Sequence, residues 1–282
     1  VTPSAELRPR LVAAPRRRNR AALVGAVAAP ASALLVLLGL WQAVAVSGAV
    51  PADVLPSPVR VVGAGAGEHE ALLRHAVPTL VATITGFALS VAFAFATATL
   101  LDFSRILRTA LLPLLIVSQT LPLIALAPLV VLWFGFGLLP KILLVAFVTY
   151  FPMVVGLLRG FAEADPEAER LLASMGASRA AVFRLVRLPA ATASFFSSLR
   201  ISITYAVVGA IFAEYAGAVA GLGVYMQSAK NVFRTDLVLA AVGVSTVLTL
   251  CLFGAVVLIE RWAAPWLRIE QGRVDSVGGG SA

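Results

Sequence analysis

Charge is what this chain is short of. Asp, Glu, Lys and Arg make up 13% of its 282 residues, about half the share of an ordinary soluble domain. Hydrophobic residues make up 60%, and the mean hydropathy is +0.95. That balance excludes a soluble globular domain. The formal net charge of +8 would suggest a nucleic-acid partner in a soluble protein. Here the basic residues lie in loops and chain ends, with no aromatic–basic interleaving, so no nucleic acid is expected. The single cysteine, Cys251, rules out an internal disulfide. It sits in an apolar run and reads as a small packing residue. The two histidines, His69 and His75, read as solvated residues of a polar loop, without metal-ligand spacing. Lys141 and Lys230 precede Ile142 and Asn231, so no G-x-x-x-x-G-K-[ST] phosphate loop is present. No Ser–His–Asp set or pair of carboxylates falls within one apolar run. An enzyme in the membrane, a metal site and a cofactor are therefore not expected.

What is present is a series of apolar runs near the ~20 residues that cross a hydrocarbon core as helix. Six spans are predicted, at about 21–46, 76–101, 110–134, 138–159, 195–217 and 237–259. The third contains Pro113, Pro122 and Pro128 and reads as one kinked crossing. Lys141 is placed to snorkel at the start of the fourth. An even number of spans puts residues 1–20, the loop after the second span, a polar loop at 160–190 and the tail 261–282 on one side. Counting Arg105 and Arg108 in the loop after the second span and Arg159 and Arg200 flanking the polar loop, seventeen of the 22 basic residues fall on that side, which makes it cytoplasmic. Arg16–Arg18 followed by Ala43-Val44-Ala45 imitates an export signal. The intervening apolar stretch is too long for one, so an anchored first span is expected. The Gly/Ser-rich end at Val277–Ala282 reads as disordered.

The stretch from Phe161 to Pro189 is polar, Arg-rich and out of place between apolar runs. Asp165, Pro166 and Glu167 form a helix start: a capping acid, proline at the first position, and an acid in the first turn. Ala168, Leu171, Leu172 and Met175 follow at helical spacing as one apolar stripe. Gly176 ends that helix, and Ser178 caps a second with Val182, Leu185 and Val186 on its stripe. Pro189 closes it. Two readings are open: an amphipathic hairpin lying on lipid, or a docking helix for a cytoplasmic partner.

These residues resemble the "EAA" loop in the membrane subunits of bacterial ATP-binding-cassette importers. Gly176, Val186 and Leu188-Pro189 keep that loop's spacing. The Glu-Ala-Ala positions are Arg170, Leu171 and Leu172 instead, with Glu169 one residue away, about 100° around the helix. Further matches are Leu55-Pro56-Ser57-Pro58, Leu126-Ala127-Pro128-Leu129, Trp133-Phe134-Gly135, Ala213-Glu214 and Gly221-Leu222-Gly223. They are similar to the nitrate/sulfonate/taurine branch, which also holds carriers of thiamine-precursor pyrimidines and riboflavin. Phe134–Lys141 and Gly223-Val224-Tyr225-Met226 lean towards the pyrimidine carriers.

The resemblance implies an all-α polytopic permease of the type I importer kind, in the cytoplasmic membrane. It implies a second permease copy as a homodimer, two ATPase subunits and an extracytoplasmic substrate-binding protein as partners, and no cofactor. Asp165, Glu167, Arg170, Leu171, Leu172, Met175, Gly176, Ser178, Leu188 and Pro189 would then couple to the ATPase. Glu214 is an acid near the outer end of the fifth span, where pathway lining, fixing a gate and snorkelling are all open. Gln119, Thr120, Tyr150 and Tyr205 are candidate pathway residues, with helix-packing contacts as the commoner role. Gly221 and Gly223 mark an external turn. A stand-alone carrier or channel, and a subunit that only anchors a cytoplasmic enzyme, are the rival readings.

Overall fold

A computed structural model describes residues 20–265. The basic N-terminus with Arg16–Arg18 and the tail beyond residue 265, including the Gly/Ser-rich end, lie outside the described residues. Every regular element among the described residues is helical. The chain divides into two units, residues 1–60 and 61–282.

The first unit carries α1 (Arg20–Val46). Its 28–46 stretch is long and apolar enough to cross a membrane. Leu34, Leu35, Val36 and Leu37 are exposed on successive faces, as expected of a helix solvated by lipid rather than water. The Trp41 indole N–H donates to the Pro56 carbonyl at 3.1 Å, which holds the returning strand of chain.

The second unit follows α2 (Pro58–Gly67) with α3 (His69–Phe103), α4 (Arg105–Ser118), α5 (Leu123–Phe134) and α6 (Leu138–Ala162). Next come α7 (Pro166–Ser174), α8 (Arg179–Val182), a π-helical turn (Phe183–Arg187) and α9 (Leu188–Ala190). The chain then runs through α10 (Thr192–Gly217), α11 (Leu222–Asn231) and α12 (Thr235–Ala263). The apolar helices α1, α3, α6, α10 and α12 each qualify as spans, and α4 with α5 makes a sixth if the pair is one span.

Three helices form the heart of the bundle. α6 packs on α3 and on α10, with Val145, Met153, Val154, Leu157 and Ala206 wholly buried. Small residues set how closely they approach. A Cβ at Gly86 would lie 2.6 Å from Val145 Cβ, and one at Gly160 would lie 2.5 Å from Ala191 Cα. A Cβ at Gly156 would fall on the Ser198 side chain. The outer surface is as apolar as the inside: Ile106, Leu132, Trp133 and Leu250 are all exposed. Such a surface is stable only in contact with lipid or other protein.

Four expectations need correcting. The third span is not one kinked helix. α4 and α5 meet at 99°, and the break falls at Gln119–Pro122, while Pro113 and Pro128 lie inside helices. Pro122 caps α5 with an extended backbone, a conformation its fixed φ suits. His69 and His75 are not in a loop. α3 begins at His69, seven residues before the apolar run, and includes both. The second insert helix does not run to Pro189; after four residues it widens into the π turn. Proline 189 has no N–H, and its ring would clash with the Leu185 carbonyl in an α ladder. The Leu188 N–H instead reaches five residues back to Phe183. Cys251 is exposed rather than packed inside its own bundle.

Gly160→Ala is expected to lower stability by about 1–3 kcal/mol through overpacking against Ala191. Gly254 has nothing within 4 Å of its Cβ position, and Gly254→Ala should leave stability unchanged or slightly raised. Thermal unfolding of the detergent-solubilised protein measures both; equal effects would contradict this packing.

Candidate functional site

Ionisable side chains gather at the two ends of the α3–α6–α10 bundle. At one end Glu214 lies in the last turn of α10 and is 2% exposed. Its carboxylate takes three donors. Lys141 Nζ, from the first turn of α6, lies 3.1 Å from Oε1. The Thr79 hydroxyl of α3 donates at 2.9 Å, and the Gly223 N–H donates to Oε2 at 2.8 Å. Lys141 is itself 5% exposed and also donates to the Ala220 carbonyl. Neither residue snorkels, contrary to the reading offered for Lys141 and to one of those for Glu214.

The glycines explain how the chain closes around this carboxylate. Gly221 has φ +144°, and a Cβ there would fall on the Glu214 carboxylate. A Cβ at Gly223 would lie 2.7 Å from the Ile211 carbonyl. The turn is therefore open only to glycine. It starts α11, whose Leu222 N–H donates to the Thr79 hydroxyl at 2.9 Å. The Gly221 N–H donates to His75 Nδ1 at 3.1 Å. One acid thus ties α3, α6, α10 and the start of α11 together. Charge this deeply buried is tolerated only when paired and fully hydrogen-bonded.

At the other end the insert forms an elbow. Asp165 accepts from the Glu167 N–H at 2.8 Å and caps α7. Gly176 adopts φ +82° after α7, the left-handed turn that glycine supplies at helix ends. Ser178 accepts from the Ala181 N–H at 3.3 Å. No residue of α7 is buried. Leu171 (62% exposed), Met175 (75%) and Leu185 (65%) face outward, while Ala168 and Leu172 of the same stripe are half-buried. Leu188 packs against the bundle, while Pro189 is exposed. Arg170 is exposed, its Nε donating to the Pro166 carbonyl at 3.1 Å.

Glu169 is turned the other way. Its two oxygens take Arg187 Nε at 2.7 Å and Nη2 at 3.0 Å, and Arg187 Nη1 reaches both oxygens of Asp102 at 2.9 Å. Hydrogen bonding to Glu169 first, then to Asp102, raises the guanidinium pKa still further above its ordinary value, against the opposing effect of partial burial. Nearby, Arg200 of α10 pairs with Glu260 of α12 at 2.8 Å, and Ser194 donates to Glu163 at 2.9 Å.

Thr79 and Asp102 stand on the same helix 23 residues apart, a rise of about 35 Å. That separation matches the ~30 Å of a bilayer's hydrocarbon core. The two ionic levels bracket an apolar slab.

The remaining candidates separate. The Tyr150 hydroxyl donates to Thr97 at 2.8 Å and sits half-buried between α6 and α3. Gln119 and Thr120 are exposed at the α4–α5 break, and Tyr205 is 52% exposed on α10. The sequence reading missed Thr79, His75, Asp102 and Arg187 as members of ionic clusters. One signal was available: Lys141 and Glu214 are opposite charges at the edges of apolar runs, where an isolated charge is costly.

Residues 90–265 match the family described as binding-protein-dependent transport system inner membrane component. A probable ABC transporter permease protein of Haemophilus influenzae is 37% identical, with 77% of this chain and 89% of that one covered. The formylaminopyrimidine transport permease protein ThiX of Halalkalibacterium halodurans is 32% identical over 84% of this chain and 95% of its own. The taurine transport system permease protein TauC of Escherichia coli is 30% identical over 83% and 87%. Among solved structures, an amino acid ABC transporter with histidines matches at TM-score 0.58 and 18% identity, over 70% of this chain and 96% of that one, a likeness of fold.

Removing one member of the buried pair leaves the other charge uncompensated. Lys141→Met should therefore cost about 3–5 kcal/mol. Adding Glu214→Gln should restore most of the loss, because the amide oxygen still accepts from Gly223. Chemical unfolding of the three proteins would decide it, and a double variant no more stable than Lys141→Met would break the argument.

Proposed function

The chain belongs to the binding-protein-dependent transport inner membrane component family, the permease subunits of ATP-driven importers, and from that premise we propose how its two ends divide the work. The elbow Asp165–Pro189 is the ATPase-docking side and faces the cytoplasm, together with both chain ends. The Glu214 end faces outward, towards a substrate-binding protein. α4 and α5 count as one broken crossing, giving six. Two copies form the translocation unit as a homodimer, with one ATPase on each elbow. ATP hydrolysis belongs to those separate subunits, since no phosphate-binding loop occurs in this sequence.

One observation carries the docking assignment. α7 is a short helix, capped at its start by Asp165 and turned at Gly176, that leaves Leu171 and Met175 exposed beyond the apolar slab. Such a stripe fits a helix laid into a partner's groove. The polar candidates divide by exposure. Gln119, Thr120 and Tyr205 point away from their own bundle and are assigned to the pathway between two copies. Tyr150 and Glu214 are held inside it and are assigned to positioning, with Glu214 fixing the outer end. The cargo is a small organic solute or oxyanion of the sulfonate, nitrate, taurine or pyrimidine-precursor kind. The names of the ThiX and TauC relatives support that class.

Co-purification with the ATPase tests the assignment. Deleting 165–178 should release the ATPase. Gly176→Pro should abolish ATP-driven uptake with the permease still inserted, because proline cannot adopt the φ of +82° found there. Uptake that persists in the deletion variant, or in vesicles without any ATPase, would instead support a stand-alone carrier.

A further inference from the structure

α7 has no buried residue, so packing gives it little hold on the bundle. Ala168 and Leu172 are half-buried, and its specific tie to the bundle is ionic. Arg187 carries Glu169 of α7 on one edge of its guanidinium and Asp102, at the end of α3, on the other. The three side chains are 32%, 23% and 10% exposed respectively, so water screens the bridge only in part.

The local backbone places this arginine. Phe183 is buried, 5.2 Å from the Phe103 ring and 5.1 Å from the Phe161 ring, which anchors the start of the π turn. The turn then takes one residue more than an α turn before Leu188. One residue is about 100° of helix. An uninterrupted α-helix from the same anchor would present residue 187 to a different side. Pro189 forces the wide turn, and the wide turn brings Arg187 between the two carboxylates.

We propose that Arg187 is the strut that transmits movement of the ATPase-docked helix α7 to the inner end of α3, and so is a positioning residue for ATP-coupled transport. This rests on the docking role given to the elbow. A guanidinium suits the task because its planar fork holds two carboxylates at once in fixed geometry, which an ammonium does not. α3 is a continuous helix from Asp102 to Thr79. A push at its inner end therefore reaches the Glu214 clamp without an intervening hinge. The shift of the acid from position 170 to Glu169 follows from the same design, since Glu169 faces the bundle and Arg170 faces out.

The test uses the whole complex of permease, ATPase and binding protein in lipid vesicles. Arg187→Gln should keep the ATPase bound and its unstimulated hydrolysis near wild type. Stimulation by loaded binding protein, and uptake, should fall by roughly tenfold, within the usual range of coupling between sites. Arg187→Lys should be intermediate. Asp102→Asn combined with Glu169→Gln should be no worse than either alone, because the two act in series through one group. Normal uptake by Arg187→Gln would overturn the strut. So would loss of uptake in step with loss of bound ATPase, which marks a purely structural hold; both leave the importer reading standing. Should Arg187→Gln fail to accumulate, Asp102→Asn alone gives the same split of hydrolysis from uptake, or its absence overturns the strut. A wild-type chain that retains no ATPase sinks the importer reading and the strut with it.

Discussion

An apolar slab offers charge no partner, so charge in this bundle is confined to two levels. At one level the buried carboxylate of Glu214 gathers Lys141, Thr79 and the Gly221–Gly223 turn. At the other, Arg187 joins Asp102 to Glu169 and Arg200 joins Glu260. Between them the helices pack through glycine, alanine and serine contacts, with hydroxyls such as Thr149 and Ser198 returned to their own helix carbonyls. That is the general solution where water is absent: backbone and side-chain polar groups are satisfied locally, or they sit at the boundary.

The two levels differ in kind, and the difference suits a transporter. The Glu214 clamp is closed on every side and admits no change at Gly221 without collision. It is built to stay as it is. The elbow is exposed, capped by its own residues and attached to the bundle through an ion bridge. A permease that responds to an ATPase on one side needs one end that receives motion and helices stiff enough to carry it. α3 meets that need by running unbroken between both levels, while the 99° break between α4 and α5 leaves Gln119 and Thr120 exposed.

Most of the architecture was legible in the sequence because membrane helices obey a local rule: a long apolar run must be a helix. The elbow was legible for the same reason in reverse. Asp165-Pro166, Gly176 and Ser178 are local signals for starts and stops, and each acts in the structure as its chemistry suggests. What was not legible is long-range. Lys141 and Glu214 lie 73 residues apart, and His75 and Gly221 lie 146 apart; no periodicity links them. The third crossing was misjudged because three prolines gave three possible kinks. The break fell at Pro122, the one whose predecessors Gln119 and Thr120 are polar. The π turn was foreshadowed by Pro189, but its consequence, the aim of Arg187, depends on where Phe183 packs.

The central claim is that the two ionic levels lie on opposite faces of the membrane, with the elbow inside. Single cysteines at Val219 (86% exposed) and Met175 (75% exposed), in a Cys251→Ser background, report on each level directly. A membrane-impermeant maleimide applied to intact cells should label position 219 and spare 175, and inverted vesicles should reverse the pattern. Labelling of position 175 from outside, or of both positions from one side, would contradict the account.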